Sequence, residues 1–398
     1  MRRLFLRLHR YAGLAIAFFL VVVGLTGSVL AFYEELERWL NPQLFTVPVR
    51  ATPPLDPLVL REQAEALVPQ AHVDSVPLER KPGEAFIGWL TPKTDPATGQ
   101  PFALRHDQLF LDPYTGEPLG SRRWGEVSLI KENLLPFLYV MHYKLALPGE
   151  IGVWLFGLVA LVWTLDCFVG FYLTLPCGRP FWNKWKPAWR VKIGAGAYRI
   201  NYDLHRAAGL WVWTMLFVLA WSGVAFNLSD QVYTPVMKLF FEMQDHDLPR
   251  LAQPLEAPGL SWREAHAAAK RLMAEQSAQH GFSIERETWL WYDREQGVYY
   301  YAVYSSRDVG RDGRTQIAFD ANTGVLKDLS LPSGQYAGDT VTYWLTSLHM
   351  ARVFGRPMQV FVCGMGLVVA MLSLTGIIVW LRKRRVRTGR VIFLRRLS

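Results

Sequence analysis

The sequence predicts an integral membrane protein: a four-transmembrane-helix bundle of two pseudo-twofold repeats, each carrying an extramembrane α+β domain. Three observations predict it. Of 398 residues, 51% are hydrophobic and 14% aromatic, while 19% are charged, a composition too apolar for an ordinary soluble protein. Four apolar runs, at about 11–33, 151–175, 207–228 and 358–381, each approach the roughly 20 residues that cross a bilayer core. The chain also repeats itself: "LHRYAGL" at 8–14 returns as "LHRAAGL" at 204–210, "MHYKLALPG" at 141 as "LHMARVFGRP" at 348, and "DPYTGEPLG" at 112 as "DANTGVLKD" at 320.

The elements follow in chain order. Residues 1–40 hold the first span, and 41–128 the first outer domain. Residues 129–178 hold an interfacial helix and the second span, 179–203 a basic loop, and 204–240 the third span. Residues 241–336 form the second outer domain, and 337–398 an interfacial helix, the fourth span and a basic tail. In the first outer domain "PLVLREQAEALV" has helical apolar spacing and precedes the strand-like "EAFIGWL" and "FALRHDQLFLDP"; in the second, "SWREAHAAAKRLMAEQ" precedes "ERETWLWYD", "GVYYYAVYSS" and "TQIAFD". Both crossings of each unit return the chain to the same side, so the two repeats share one orientation about an axis along the membrane normal.

Charge sets that orientation. The N-terminal ten residues, residues 176–206 and the tail hold 19 of the 43 Lys and Arg, with Asp203 as their one acid. The positive-inside rule places these segments, and both termini, in the cytoplasm and both large domains outside. The net charge of +9 is a topology signal and gives no reason to expect nucleic acid. A cleaved signal ending at Ala31 is the alternative for the N-terminus, but its apolar stretch is longer than a signal core and recurs at 205 onward. Cys167 and Cys363 fall within spans and Cys177 at a span end, which leaves the outer domains without cysteine and without disulfides.

Only four of the nine histidines recur between the copies: His9, His142, His205 and His349. His9 and His205 lie at the cytoplasmic ends of spans one and three, His142 and His349 on outer helices before spans two and four. A span separates the faces by roughly 30 Å, so pairs form within a face. Two imidazoles facing each other across a bundle suit the axial positions of a haem iron, and without "CxxCH" the haem is b-type, two per chain. Gly13 and Gly209, four residues after His9 and His205, share their helical face and leave room for a porphyrin. Arg10 and Arg206 follow the histidines and are placed for propionates, as are Lys144, Arg352 and Arg356 on the outer face. The bland alternative is four interfacial histidines. Zinc or copper fits less well, because no Cys, Asp or Glu recurs beside both members of a pair.

The other histidines, His72, His106, His246, His266 and His280, have no repeat partner and read as surface residues. Asp166, in "VWTLDCFVG", is a carboxylate well inside span two, a placement that marks function or a specific partner. Its repeat counterpart near Leu372 is apolar, so the histidine pairs do not explain it. Its candidate roles are a proton relay, a hydrogen bond to Thr164 or a tryptophan, or contact with a quinol head group. The "TG", "SG", "TG" and "VG" dipeptides at 26, 222, 375 and 169 read as points of close helix approach.

The opening "LHRYAGLAIAFFLVVVGLTGSVLAFYEELERWLNP", the "DPYTGE" and "DANTGV" domain ends, "DLHRAAGLW", "LHMARVFG" and "LTGIIVWLRKRR" together resemble the PepSY-associated transmembrane family over nearly the whole chain. The resemblance implies a four-span inner-membrane protein of Gram-negative bacteria with two periplasmic PepSY-type domains. It also implies an association with iron uptake, some members being haem-containing reductases of ferric siderophores, with the family's histidines at His9, His142, His205 and His349. The expectation is a di-haem b oxidoreductase that takes electrons from a quinol or a cytoplasmic reductase and reduces a periplasmic ferric siderophore. Reduction releases iron because hard oxygen donors hold ferrous iron more weakly than ferric. No dinucleotide fingerprint is present, so the donor is a separate partner. The rival readings are a non-catalytic membrane protein that binds an envelope partner, and a siderophore transporter.

Overall fold

The computed structural model describes every residue except 80, 246 and 396–398, and only the backbone over 386–395. The chain forms two compact units: residues 1–32, 138–236 and 348–398, and residues 33–137 and 237–347.

Among the described residues of the first unit three helices are long and apolar enough to cross a membrane: Arg2–Leu30, Ile151–Thr174 and Gly355–Arg385. The third expected span differs from the sequence reading. It starts earlier and is broken, as Ala197–Trp211 and Trp213–Asn227 meet at a 73° bend. The earlier start is an amphipathic turn whose fully buried Asp203 accepts from Arg199 at 2.8 Å and Arg206 at 2.9 Å. At the bend, two indoles are drawn to different partners: Trp211 Nε1 donates to the Trp189 carbonyl at 3.1 Å, Trp213 Nε1 to the Cys167 carbonyl at 2.9 Å. Counted as one span, the bent pair brings the number to four.

The Arg2–Leu30 helix packs against Ile151–Thr174 and the last helix; Ile151–Thr174 also packs against Trp213–Asn227, and the last helix against Ala197–Trp211. Arg2 donates to the carbonyls of Leu173 and Leu175. A cation therefore meets the negative end of the second helix, and the first two spans run antiparallel. Gly24 lies where a Cβ would come within 2.5 Å of the Gly366 carbonyl, so the tightest backbone crossing of the first and last spans requires glycine here.

Among the described residues the second unit holds nine strands: β1 (Ala71–Val73), β2 (Ser75–Pro77), β3 (Phe86–Pro92), β4 (Gln108–Leu111), β5 (Pro118–Arg122), β6 (Ile284–Asp293), β7 (Val298–Ser305), β8 (Thr315–Asp320) and β9 (Leu326–Ser330). They form sheets of order β1-β3-β4-β5 and β2-β6-β7-β8-β9. Helix Pro57–Leu67 is capped by the Asp56 carboxylate. Helix Trp262–His280 opens with a capping box, Ser261 to Glu264, and ends at Gly281 with φ +64°. The sequence expectation of two self-standing domains, 41–128 and 241–336, meets a different arrangement. β2 belongs to the first stretch but pairs with β6 of the second, Val76 opposite Leu290. One core gathers Leu58, Val73 and Leu109 with Met273, Tyr299 and Phe319, so each half supplies apolar surface that the other covers.

Two histidines of this unit are not the plain surface residues expected. His72 lies between Glu65 and Glu256, at 3.3 Å from each. His266 contacts Glu287 at 2.6 Å, beside Lys270 at 2.9 Å. Burial pushes the Glu287 carboxyl up, but these two partners outweigh it and hold the group at about 2. His280 is exposed and His106 half-buried. His246 lies outside the described residues.

Candidate functional site

The four repeat-related histidines come together in two pairs. The ring centroids of His9 and His205 are 6.1 Å apart with planes at 53°; those of His142 and His349 are 6.2 Å apart at 80°. The sites sit at opposite ends of the first helix, because His142 packs on Thr26 and Gly27, and Thr26 follows His9 by 17 residues, about 26 Å of helix. Ser222 follows His205 by the same 17 residues.

Each imidazole is held at Nδ1. His142 Nδ1 lies 3.0 Å from Thr26 Oγ1, whose hydrogen is already donated to the Val22 carbonyl at 2.7 Å. His349 Nδ1 lies 2.5 Å from Ser222 Oγ, which donates to the Val218 carbonyl at 2.6 Å. His205 Nδ1 lies 3.0 Å from the Leu372 carbonyl and 3.1 Å from Thr375 Oγ1, itself a donor to the Met371 carbonyl. His9 Nδ1 faces both oxygens of Asp166 at 2.9 Å. A hydroxyl has one hydrogen, so Thr26 and Ser222, having given theirs away, accept from the imidazole; a carbonyl can only accept. The network thus assigns Nδ1–H at all four rings, so that in each neutral ring the lone pair is on Nε2.

Every one of these bonds stays within one half of the chain: the Ile151–Thr174 helix anchors His9, the Arg2–Leu30 helix His142, the last helix His205 and the Trp213–Asn227 helix His349. The pairs themselves form between the halves. Glycines complete the seats. A Cβ at Gly27 would lie 2.9 Å from His142 Cε1, one at Gly376 3.2 Å from His205 Cε1, and one at Gly170 3.5 Å from His9 Cε1. Three of the four small-residue dipeptides therefore make room for imidazoles, which corrects their reading as points of helix approach. The fourth, at Gly223, meets the Ala160 Cβ at 3.0 Å and does bring two helices close.

The turns after His142 and His349 hold non-glycine residues at positive φ: Leu145 at 54° and Ala146 at 53° in one, Ala351 at 53° and Phe354 at 58° in the other. Such conformations cost on the order of 1–3 kcal/mol each and persist where surrounding structure fixes them. Asn227 fastens the first of these turns, donating to the carbonyls of Tyr143 at 2.9 Å and Val153 at 3.1 Å.

The remaining expected residues divide. Gly13 has nothing within 4 Å of a built Cβ, and Gly209 only Leu372 Cδ2 at 4.0 Å, so space lies beside both. Arg10 is half-buried and has no polar partner among the described residues. Arg206 departs from expectation: it donates to the Pro187 carbonyl at 2.6 Å and to Asp203 at 2.9 Å, because that buried carboxylate requires cations. Lys144 lies over the Tyr143 ring, Arg352 is half-buried and Arg356 exposed. Asp166 has a partner that the sequence reading did not name. It serves the His9 imidazole, and Thr164, one of its expected partners, donates instead to the Ala160 carbonyl at 2.8 Å.

These donors fit a haem. Imidazole–metal bonds are about 2.0–2.1 Å long, and a ring centroid lies roughly 1.1–1.2 Å behind its nitrogen, so two rings sharing one metal from opposite sides have centroids about 6.2–6.6 Å apart. The observed separations, 6.1 and 6.2 Å, lie at or just below the lower end of that range. Neutral imidazoles with Nδ1–H committed to an oxygen are the form in which histidine ligates metals.

Residues 6–383 match the family model described as the PepSY-associated TM region, and the chain belongs to that family of membrane proteins. No curated protein matches it.

Proposed function

We propose that this chain is a di-haem b oxidoreductase of the bacterial inner membrane that passes electrons outward to a periplasmic ferric siderophore and releases ferrous iron. The observation that carries this reading is the arrangement of four imidazoles, each fixed at Nδ1, in two pairs at 6.1 and 6.2 Å. His9 and His205 would hold one haem, His142 and His349 the other. A bound haem supplies reversible one-electron chemistry, which the protein side chains lack.

The chain's own residues do the rest. Thr26, Ser222, Thr375 and Asp166 fix ring orientation and tautomer. Gly13 and Gly209 leave flanking space, and Arg10 offers an unpaired cation for a propionate. In this reading four spans form a bundle of two pseudo-twofold repeats, since every Nδ1 anchor is internal to one repeat and both pairs join the two. The basic segments lie in the cytoplasm, which puts the His9–His205 pair on the side of the donor, a quinol or a cytoplasmic reductase. The strand-rich unit is then periplasmic, on the side of the siderophore.

Purified full-length protein is expected to show a Soret band and two b-type haems per chain by pyridine haemochrome. The His205→Ala variant is expected to retain one. A haem-free wild type, or loss of both or neither haem in the variant, would refute the reading.

A further inference from the structure

Three of the four imidazoles donate to neutral acceptors: Thr26 Oγ1, Ser222 Oγ, and the Leu372 carbonyl with Thr375 Oγ1. The fourth, His9, donates to a carboxylate, both oxygens of Asp166 standing 2.9 Å from Nδ1. Among the described residues no other Asp or Glu touches any of the four rings. The carboxylate is no requirement of the fold, because the position related to Asp166 by the repeat is Leu372, and His205 is seated by that residue's backbone. A carboxylate side chain only 12% exposed inside a spanning helix is expensive, and such placements mark a specific use.

We propose that Asp166 is a positioning and tuning residue which makes the His9–His205 haem the lower-potential centre of the two, so that electrons run from that pair toward His142–His349. This deepens the function proposed above and rests on it. The argument is electrostatic. A haem held by two neutral imidazoles would carry one positive charge at its iron centre when oxidised and none when reduced. A carboxylate one imidazole away favours the charged form, and by drawing on Nδ1–H it makes Nε2 a stronger donor. Both effects lower the potential. Of the nearby cations, Arg199 and Arg206 share the Asp203 carboxylate and Arg10 is placed for a propionate in the reading above; among the described residues none of the three bonds either imidazole, whereas Asp166 bonds His9 directly. At the other pair, hydroxyls that donate onward to backbone carbonyls bring no net charge. The donor's electron therefore enters at the more reducing centre, and the ferric chelate accepts it from the less reducing one.

The test is a potentiometric titration of the full-length holoprotein followed by haem absorbance. Two waves are expected, and the wave missing from the His205→Ala variant is the lower. If the missing wave is the higher, the proposed order is wrong, and this arm needs no change at Asp166. In the Asp166→Asn variant, where an amide oxygen can still accept from Nδ1, both haems are expected to remain while the lower wave shifts upward and the upper stays in place. Unmoved midpoints with both haems retained, or movement of the upper wave, would overturn the role of Asp166. A haem-free wild type is a separate outcome that removes the parent reading itself.

Discussion

The two histidine pairs have nearly the same dimensions and different surroundings. His142–His349 is matched: each ring leans on a hydroxyl of the preceding span, Thr26 or Ser222. His9–His205 is unmatched, with a carboxylate on one side and a backbone carbonyl with a threonine on the other. The ring separation is nearly the same, 6.2 Å in one pair and 6.1 Å in the other, while a carboxylate stands at one of the four seats. Metric sets which cofactor fits; environment sets how strongly it holds its electron. The two can therefore be broken separately.

The largest effect is expected from removing one matched ligand. The His349→Ala variant should lose one haem, keep the His9–His205 haem reducible by its donor, and lose ferric siderophore reduction. The reason is distance. The pairs are about 26 Å apart along the first helix, and electron tunnelling falls off steeply over such lengths, so the far pair has no direct access to a periplasmic chelate. Anaerobic stopped-flow, following haem reoxidation after adding ferric siderophore, measures this. Reoxidation at the wild-type rate in a variant confirmed to lack that haem would sink the relay.

A second effect, nearly as large, separates the seat from the space beside it. In Gly27→Val the new Cβ would fall 2.9 Å from His142 Cε1, so the ring must leave its place, and haem at His142–His349 should fall while the other haem stays. Gly13 has open space around it. Gly13→Leu should leave folding intact, as judged by elution in detergent and by circular dichroism, yet weaken haem at His9–His205 because the side chain takes the porphyrin's room. Full haem occupancy in Gly13→Leu would show that the space serves something else.

Much of this was legible in the sequence, and the remainder was hidden for a physical reason. The spans, the repeat and the four histidines announce themselves through apolar run length and a recurrent motif, which are local signals. The anchors are not local. Asp166 is 157 residues from His9, and Thr26 is 116 from His142. No spacing rule links them, so Asp166 read as a functional carboxylate without its histidine partner, and the dipeptides as helix contacts. The one available signal was the constant 17 residues from His9 to Thr26 and from His205 to Ser222. The partnership of Arg206 with Asp203 was within reach, since residues three apart share a helical face. Only burial reveals that Asp203 would need both flanking arginines. The β2–β6 pairing was invisible, because a three-residue strand carries no period.

The smallest expected effect sharpens the comparison by touching an anchor without touching charge. Thr26→Val keeps the shape of the side chain and removes the oxygen that accepts from His142 Nδ1. An unmade hydrogen bond at a buried donor costs about 1–3 kcal/mol, and losing such a partner typically weakens metal affinity about 10–100-fold. Ser222→Ala should behave alike at His349, whose Nδ1 loses the same kind of acceptor. Competition for haem by an apo-haemoprotein acceptor reads the affinity, and a titration of the same samples reads the potential. Because a hydroxyl contributes no net charge, the midpoint should move less in Thr26→Val than in Asp166→Asn even though a ligand's hydrogen bond is lost outright. The reverse order would mean that bond geometry at Nδ1, and not the carboxylate charge, governs the difference between the two pairs.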